Sequence, residues 1–426
     1  MNWSYLAAPG AVYWPDALIF AATYIGLALG AIPGTRLDRT GIAVLGGIAV
    51  VLTRRMNFDD AIAQINFPTL FLLVSMMVIS AQLRLAGFYE WVMRRIVAAS
   101  HRPTQLLGGV IFSSALLSAL FANDVICLIF TPVLCGALLR ARRDPIPFLM
   151  ALVTASNIGS AATVIGNPQI ILIGQTAHLS FLRYSITVIP LIVVCLLLNY
   201  AAIRLIYRHQ LRAQVKHSPG PANPTHKPHP AQHWDLITKA LLIMGLLLIA
   251  MILGDVLNLP RQVAAMAAAG LILISRKTKT SDLLALVDWN LILLFIGLFI
   301  VIGDAQQNHL IQPAFDWLQQ AGISLNSHVS LAGVTLILGN IVSNVPAVLL
   351  IKSALAPQTS TNTWYLLAVI STFAGNLTLL GSIANLIVSE QAKTFSIRLA
   401  FTEYLKAGAT LTLICSALAL LYFHWI

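Results

Sequence analysis

The chain has 426 residues, of which 58% are apolar and only 10% charged, and its formal net charge is +11. Soluble globular proteins carry about 25% charged residues, so a water-facing shell around a core of this size is excluded, and a lipid bilayer is the solvent that fits. The Lys and Arg residues stand in short clusters between apolar runs, which points away from nucleic acid and towards membrane surfaces.

The segment Met1-Asn2-Trp3-Ser4-Tyr5 has no basic region ahead of an apolar core, so the first hydrophobic segment is expected to stay in the membrane. Hydropathy predicts spans over 16–33, 41–53, 67–83, 147–176 and 186–207, and again over 236–257, 261–275, 289–304, 364–390 and 403–425. Residues 105–139 and 328–355 are each long enough for two short helices. Polar pairs interrupt both at the centre, Asn123-Asp124 and Ser343-Asn344, which predicts re-entrant hairpins. Gly87 to Arg95 and residues 311–320 read as amphipathic interfacial helices. Between the halves, residues 208–235 hold six Pro or Gly residues from Pro219 to Pro230 and read as a hydrated linker. Its histidines, His217, His226, His229 and His233, are expected to be solvated and not metal-bound. Cys127, Cys135, Cys195 and Cys415 lie in apolar segments without paired spacing, as packing residues do.

With the linker in the cytoplasm, 21 of the 26 basic residues fall on the inner side, and only Arg54, Arg55, Arg183, Arg261 and Lys352 fall outside. That is the bias expected of an inner (plasma) membrane protein, and it puts both termini on the periplasmic or exterior side. The halves also resemble each other in order. Phe71 and Phe295 are 224 residues apart, as are Gln82 and Gln306; Asn123 and Asn344 are 221 apart; Thr163 and Thr378, and Gly166 and Gly381, are 215 apart. Five spans per half is an odd number, so the second half enters the membrane upside down. The expected fold is an all-α polytopic membrane protein of two inverted repeats, 1–207 and 236–426. Each repeat has five transmembrane helices, a re-entrant hairpin and a broken helix.

Between Asp144 and Arg183, and again between Lys352 and Glu390, there is no charged residue, yet both stretches are rich in Gly, Pro, Asn, Ser and Thr. A helix broken in lipid strands N–H and C=O groups at several kcal/mol each, so a break is tolerable only against a cavity, a partner or a ligand. Freed carbonyls suit a cation and freed helix N-termini an anion. The candidate substrate ligands are therefore Asn123, Asn157, Thr163, Asn167, Ser343, Asn344, Asn376, Thr378, Ser382 and Asn385. Asp124 is the only acidic residue in the tips and breaks, a candidate proton or cation site or else a helix cap. Asp304 reads as a cap or interfacial residue, and Lys352 as a snorkelling one.

Leu120-Phe121-Ala122-Asn123-Asp124 with Thr131-Pro132 resembles the arsenite/antimonite permeases. Gly375-Asn376-Leu377-Thr378-Leu379-Leu380-Gly381-Ser382-Ile383-Ala384-Asn385 resembles permeases related to the human P protein, and Ser343-Asn344 the tips of divalent anion/sodium symporters. Together they resemble the ion transporter superfamily in its citrate-transporter-like branch, over nearly the whole chain. The resemblance implies a scaffold and a mobile domain moving like an elevator, often in a homodimer. It implies one cation site at Asn123, Asp124, Gly159 and Gly166 and a second at Ser343, Asn344, Gly375 and Gly381. The tips depart from the serine-asparagine-threonine pattern, reading Ala122-Asn123-Asp124 and Ser343-Asn344-Val345. The broken segment reads Gly166-Asn167-Pro168-Gln169-Ile170 where relatives often have a final asparagine. These departures point away from a dicarboxylate with two sodium ions and towards proton coupling.

The function expected is a secondary active transporter of an inorganic or small organic anion coupled to Na+ or H+. The alternatives are a Na+/H+ antiporter and an arsenite/antimonite efflux permease, the last with a separate ATPase subunit. No His-Glu metal pair, nucleophile elbow or phosphate loop is present, so neither an enzyme nor a cofactor beyond the coupling ion is expected.

Overall fold

The computed structural model describes residues 14–212 and 232–426, except 31, 33, 54, 55, 356 and 357. The N-terminal segment, most of the linker with His217, His226 and His229, and the basic residues Arg54, Arg55, Lys216 and Lys227 lie outside the described residues.

The described residues are helical throughout, with no strand. The first half runs α1 (Trp14–Leu29), α2 (Arg39–Leu52), α3 (Phe58–Gln64), α4 (Phe67–Leu85), α5 (Phe88–Ala99), α6 (Pro103–Leu120), α7 (Asn123–Arg140), α8 (Ile146–Ser160), α9 (Pro168–Thr176) and α10 (Phe181–Ile206). A short α11 (Arg208–Arg212) opens the linker. The second half runs α12 (Trp234–Leu257), α13 (Arg261–Leu273), α14 (Thr280–Leu284), α15 (Trp289–Gln307), α16 (Gln312–Gln320), α17 (His328–Val342), α18 (Asn344–Ala354), α19 (Thr361–Ala374), α20 (Ile383–Lys393) and α21 (Phe401–Trp425). The same order occurs twice, down to short helices α3 and α14 that no hydropathy window shows. The element after each is started by the same device. Asn66 Oδ1 accepts from Thr69 N at 3.0 Å ahead of α4, and Asp288 Oδ1 accepts from Leu291 N at 3.0 Å ahead of α15. Each side chain satisfies one of the N–H groups that a helix start leaves without a partner.

Seven of these helices, α4, α6, α7, α10, α12, α15 and α21, are long and apolar enough to cross a membrane. The expected spans 147–176 and 364–390 are each two helices, broken over 161–167 and 375–382. The first hairpin differs from expectation in size. Its arms have 18 residues each, against 15 and 11 in the second. Asp304 is buried near the end of α15, where Asn308 Nδ2 donates to it at 2.9 Å and to Asp16 at 3.2 Å, joining α15 to α1.

The halves are interlocked. The α2 helix packs on α15 and α13 on α4, each a crossing between halves, and α1, α3, α12 and α14 surround them. The crossing of α2 and α15 is close because Gly297 lacks a side chain: a Cβ there would lie 2.3 Å from the carbonyl oxygen of Ala43. The hairpins and broken helices form a second group with α10 and α21, again exchanged between halves, with α7 on α20 and α9 on α18. The amphipathic α5 buries Phe88, Tyr89 and Met93 and touches α4 in the first group and α6 and α7 in the second. Its counterpart α16 buries no residue.

Candidate functional site

Both hairpin tips and both breaks meet at one small cavity of about 40 Å³. Asn123 and Asp124 reach it from the start of α7. Asn167, Pro168 and Gln169 come from the start of α9, Ser343, Asn344 and Val345 from the start of α18, and Ser382 and Ile383 from the start of α20. Asn157 of α8, Thr372 of α19 and Leu291 of α15 complete the wall. Four helix N-termini therefore converge on one point, each with first-turn N–H groups that have no acceptor within their own helix. The chain reaches this arrangement through its helix breakers. Pro168 stands at the first position of α9, where its missing N–H costs nothing. The second hairpin reverses at Ser343 alone, which is held at φ 77° and ψ 160°. A non-glycine residue there costs about 1–3 kcal/mol and persists only where its surroundings fix it.

The wall is held by amides. Asn157, buried, accepts from Asn123 Nδ2 at 3.0 Å and Ser382 Oγ at 3.3 Å, and donates to Asn376 Oδ1 at 2.9 Å and Asn385 Oδ1 at 3.1 Å. Asn167 accepts from Ile170 N and donates to Ser160 Oγ and Thr372 Oγ1, each at 3.0 Å. Two side chains thus bind the first half's break to the second's. Asp124 is the only charged side chain on the wall, and no hydrogen bond or ion pair to its carboxylate occurs among the described residues. Asn344 Oδ1 is buried and has no hydrogen-bond partner among the described residues.

Of the residues singled out from sequence, Asn123, Asp124, Asn157, Asn167, Ser343, Asn344 and Ser382 face the cavity. Thr163, Asn376, Thr378 and Asn385 do not line it and donate to protein acceptors instead. Thr163 donates to Ala119 O in α6, Asn376 to Thr154 O at 3.3 Å, Thr378 to Asn340 Oδ1 at 2.8 Å, and Asn385 to Gly375 O and Thr378 O at 2.7 and 2.9 Å. Gly159 and Gly166 do not reach the wall. A Cβ on Gly159 would lie 2.3 Å from Ala115 Cα, and one on Gly166 would lie 2.1 Å from Ser160 O, so they permit close packing and a tight turn. Gly375 abuts the wall, its Cβ position lying 3.2 Å from Asn344 Nδ2, while that of Gly381 lies 2.8 Å from Asn340 Oδ1. Sequence reasoning passed over Gln169, Thr372 and Leu291. The first two lie in the charge-free polar stretches already noted. Leu291 is an ordinary apolar residue of a span, and nothing in its sequence context marks it.

The opposite ends of α9 and α18 open on a larger polar cavity of about 750 Å³, bordered by Gln175, His178, Arg261 and Lys352. Asn344 and Lys352 are eight residues apart on α18, so the two cavities are separated by about 12 Å of helix.

A family model for citrate transporters matches residues 24–374. The chain belongs to this family. It is 29% identical over 419 residues to a 46 kDa membrane protein of Mycobacterium leprae, covering 95% of this chain and 96% of that one. It is 27% identical over 453 residues to a silicon efflux transporter of Oryza sativa subsp. japonica, covering 91% and 93%. Among solved structures, the YdaH transporter of Alcanivorax borkumensis, described as having an unusual topology, superposes with a TM-score of 0.52 at 15% identity over 96% of this chain and 95% of that one. At that identity the likeness speaks for the fold alone. The family's members are transporters, and this chain is a multi-pass transmembrane protein with the same architecture.

Proposed function

We propose that the protein is a secondary active transporter of the inner membrane. Its substrate is a small inorganic oxyanion or hydroxylated oxide, moved in coupling with Na+ or H+. The convergence of four helix N-termini on a cavity without a Lys or Arg carries this reading. Each N-terminus is worth about half a positive charge, so the four present roughly two against the single negative charge of Asp124. The surplus suits an anion when Asp124 is ionised and a more highly charged one when it is protonated, which gives the carboxylate a coupling role. The buried Asn344 Oδ1, without a partner among the described residues, offers an oxygen ligand to a sodium ion. Size favours the inorganic end of the range. A cavity of about 40 Å³ holds roughly three waters, whereas pockets for organic ligands begin near 300 Å³. The rice relative, named for silicon efflux, agrees with a small oxide as cargo. All of the site's polar residues come from the group of hairpins and broken helices, and Leu291 of the other group faces them, an arrangement that suits an elevator motion.

Asp124 supports a second reading, cation/proton antiport, because it is the sole charge on the wall. Reconstitution into liposomes separates the two. Under an imposed sodium or proton gradient, arsenite, silicate or phosphate should accumulate and citrate should not. Asp124→Asn should remove the drive of the pH gradient while leaving exchange of labelled substrate measurable. Sodium movement against protons with no anion moved would favour antiport, and accumulation of citrate alone would refute the size argument.

A further inference from the structure

A cleft of about 700 Å³ opens between the first turn of α6 and the last turns of α10, continuing along α11. Four arginines border it, Arg143, Arg204, Arg208 and Arg212, and no acidic residue does. None of the four takes part in an ion pair among the described residues. Arg143 donates to Leu211 O at 3.5 Å and Arg208 Nε to His209 Nε2 at 3.1 Å, contacts that bring no negative charge. Asp144, next to Arg143, accepts from Ile146 N through Oδ1 at 2.9 Å. From Pro145 to Trp234 the sequence contains no Asp or Glu, so residues 213–231 have none to offer either. The C-terminus of α10 supplies about half a negative charge, too little for four guanidiniums.

We propose that this cleft binds the phosphodiester of an anionic phospholipid. Guanidinium forks match phosphate geometry, and a basic pocket between membrane helices at their charged ends suits a lipid headgroup. The apolar surroundings choose a lipid over free phosphate. Leu205 borders the cleft and is 69% exposed, and Leu197 farther up α10 and Phe112 and Leu116 on α6 continue an exposed apolar flank. The two helices meet where Gly108 leaves room for the ring of Tyr200, 3.7 Å from its Cβ position. Acyl chains lie along this flank while the headgroup sits among the arginines. The proposal depends on the chain's residence in a membrane and not on the substrate it carries.

The test uses the full chain, delipidated in a neutral detergent, with thermal midpoint and lipid titration as readouts. Phosphatidylglycerol should raise the midpoint, and phosphatidylcholine and inorganic phosphate should not. The triple variant Arg204→Gln, Arg208→Gln, Arg212→Gln should bind phosphatidylglycerol on the order of a hundredfold more weakly, with added salt mimicking part of the loss. Removing two charges elsewhere, Arg276→Gln with Lys279→Gln, should leave the affinity unchanged. If the triple variant does not fold, Arg208→Gln alone should weaken binding roughly fivefold. An equal rise with phosphatidylcholine or with inorganic phosphate, or undiminished affinity in the arginine variants, would overturn the proposal.

Discussion

Asn157 is the side chain on which the site depends most. Its four hydrogen bonds reach Asn123 in the first hairpin, Asn376 and Ser382 in the second half's break, and Asn385 in the first turn of α20. Its amide has one consistent orientation, because reversing it would set oxygen against oxygen at Asn376 and Asn385. Asn157→Ala leaves several buried polar groups unpaired, at about 1–3 kcal/mol for each one not rescued by water. The variant is expected to lose about 3 kcal/mol of stability in detergent and nearly all transport. A thermal midpoint equal to that of the parent chain would mean that the network does not hold the two breaks together. This residue was legible in the sequence as an amide in a stretch that excludes charge. Its partners were not. One chain read alone says that a broken helix must have its N–H and C=O groups satisfied, but not which side chains do it. So the sequence marks Thr163, Asn376, Thr378 and Asn385 as polar groups of the breaks, while the structure gives each a protein acceptor: Asn385 bonds the carbonyls of Gly375 and Thr378 in its own break, and the other three reach α6, α8 and α17. Leu291 was invisible for the opposite reason, since only tertiary packing brings it to the cavity.

Hydropathy marked every long helix of the bundle, because a span must be apolar along most of its length. It was blind to α3 and α14, which are too short to leave a signal, and to the way the halves interlock. The shared amphipathic reading of residues 87–95 and 311–320 also hid a difference, since α5 is docked by Phe88, Tyr89 and Met93 and α16 buries nothing. Helix crossings in lipid depend on small residues that let backbones approach, and only the structure tells which glycines do this. Gly297 faces the backbone of Ala43, whereas Gly245 in α12 has nothing within 4 Å of its Cβ position. Gly297→Ala must push α2 from α15, and overpacking of this kind costs about 1–3 kcal/mol. Gly245→Ala gains helix propensity and should be neutral or stabilising by up to about 1 kcal/mol. Thermal midpoints of the two variants should therefore move in different directions. Equal shifts would show that the crossing of α2 and α15 is looser than the backbone distance implies.

The orientation of the whole bundle rests on where its basic residues fall, and α10 gives it a direct test. This helix has 26 residues, from Phe181 to Ile206, and so is about 39 Å long, more than the roughly 30 Å hydrocarbon core. Arg183 near its start and His209 just past its end are both exposed and must stand on opposite sides of the membrane. The four native cysteines are all buried, which provides a quiet background for thiol labelling. In intact cells a membrane-impermeant maleimide should label Arg183→Cys, and it should label His209→Cys only after the membrane is opened. That outcome puts the linker and the arginine cleft in the cytoplasm. Because each half has an odd number of spans, it also puts both chain ends outside. The reverse pattern would turn the whole molecule over and move the cleft to the outer leaflet, since an inverted repeat cannot be flipped at one helix without flipping its partner. Labelling of both positions from outside would break the count of spans itself, and with it the reading of the second half as entering the membrane upside down.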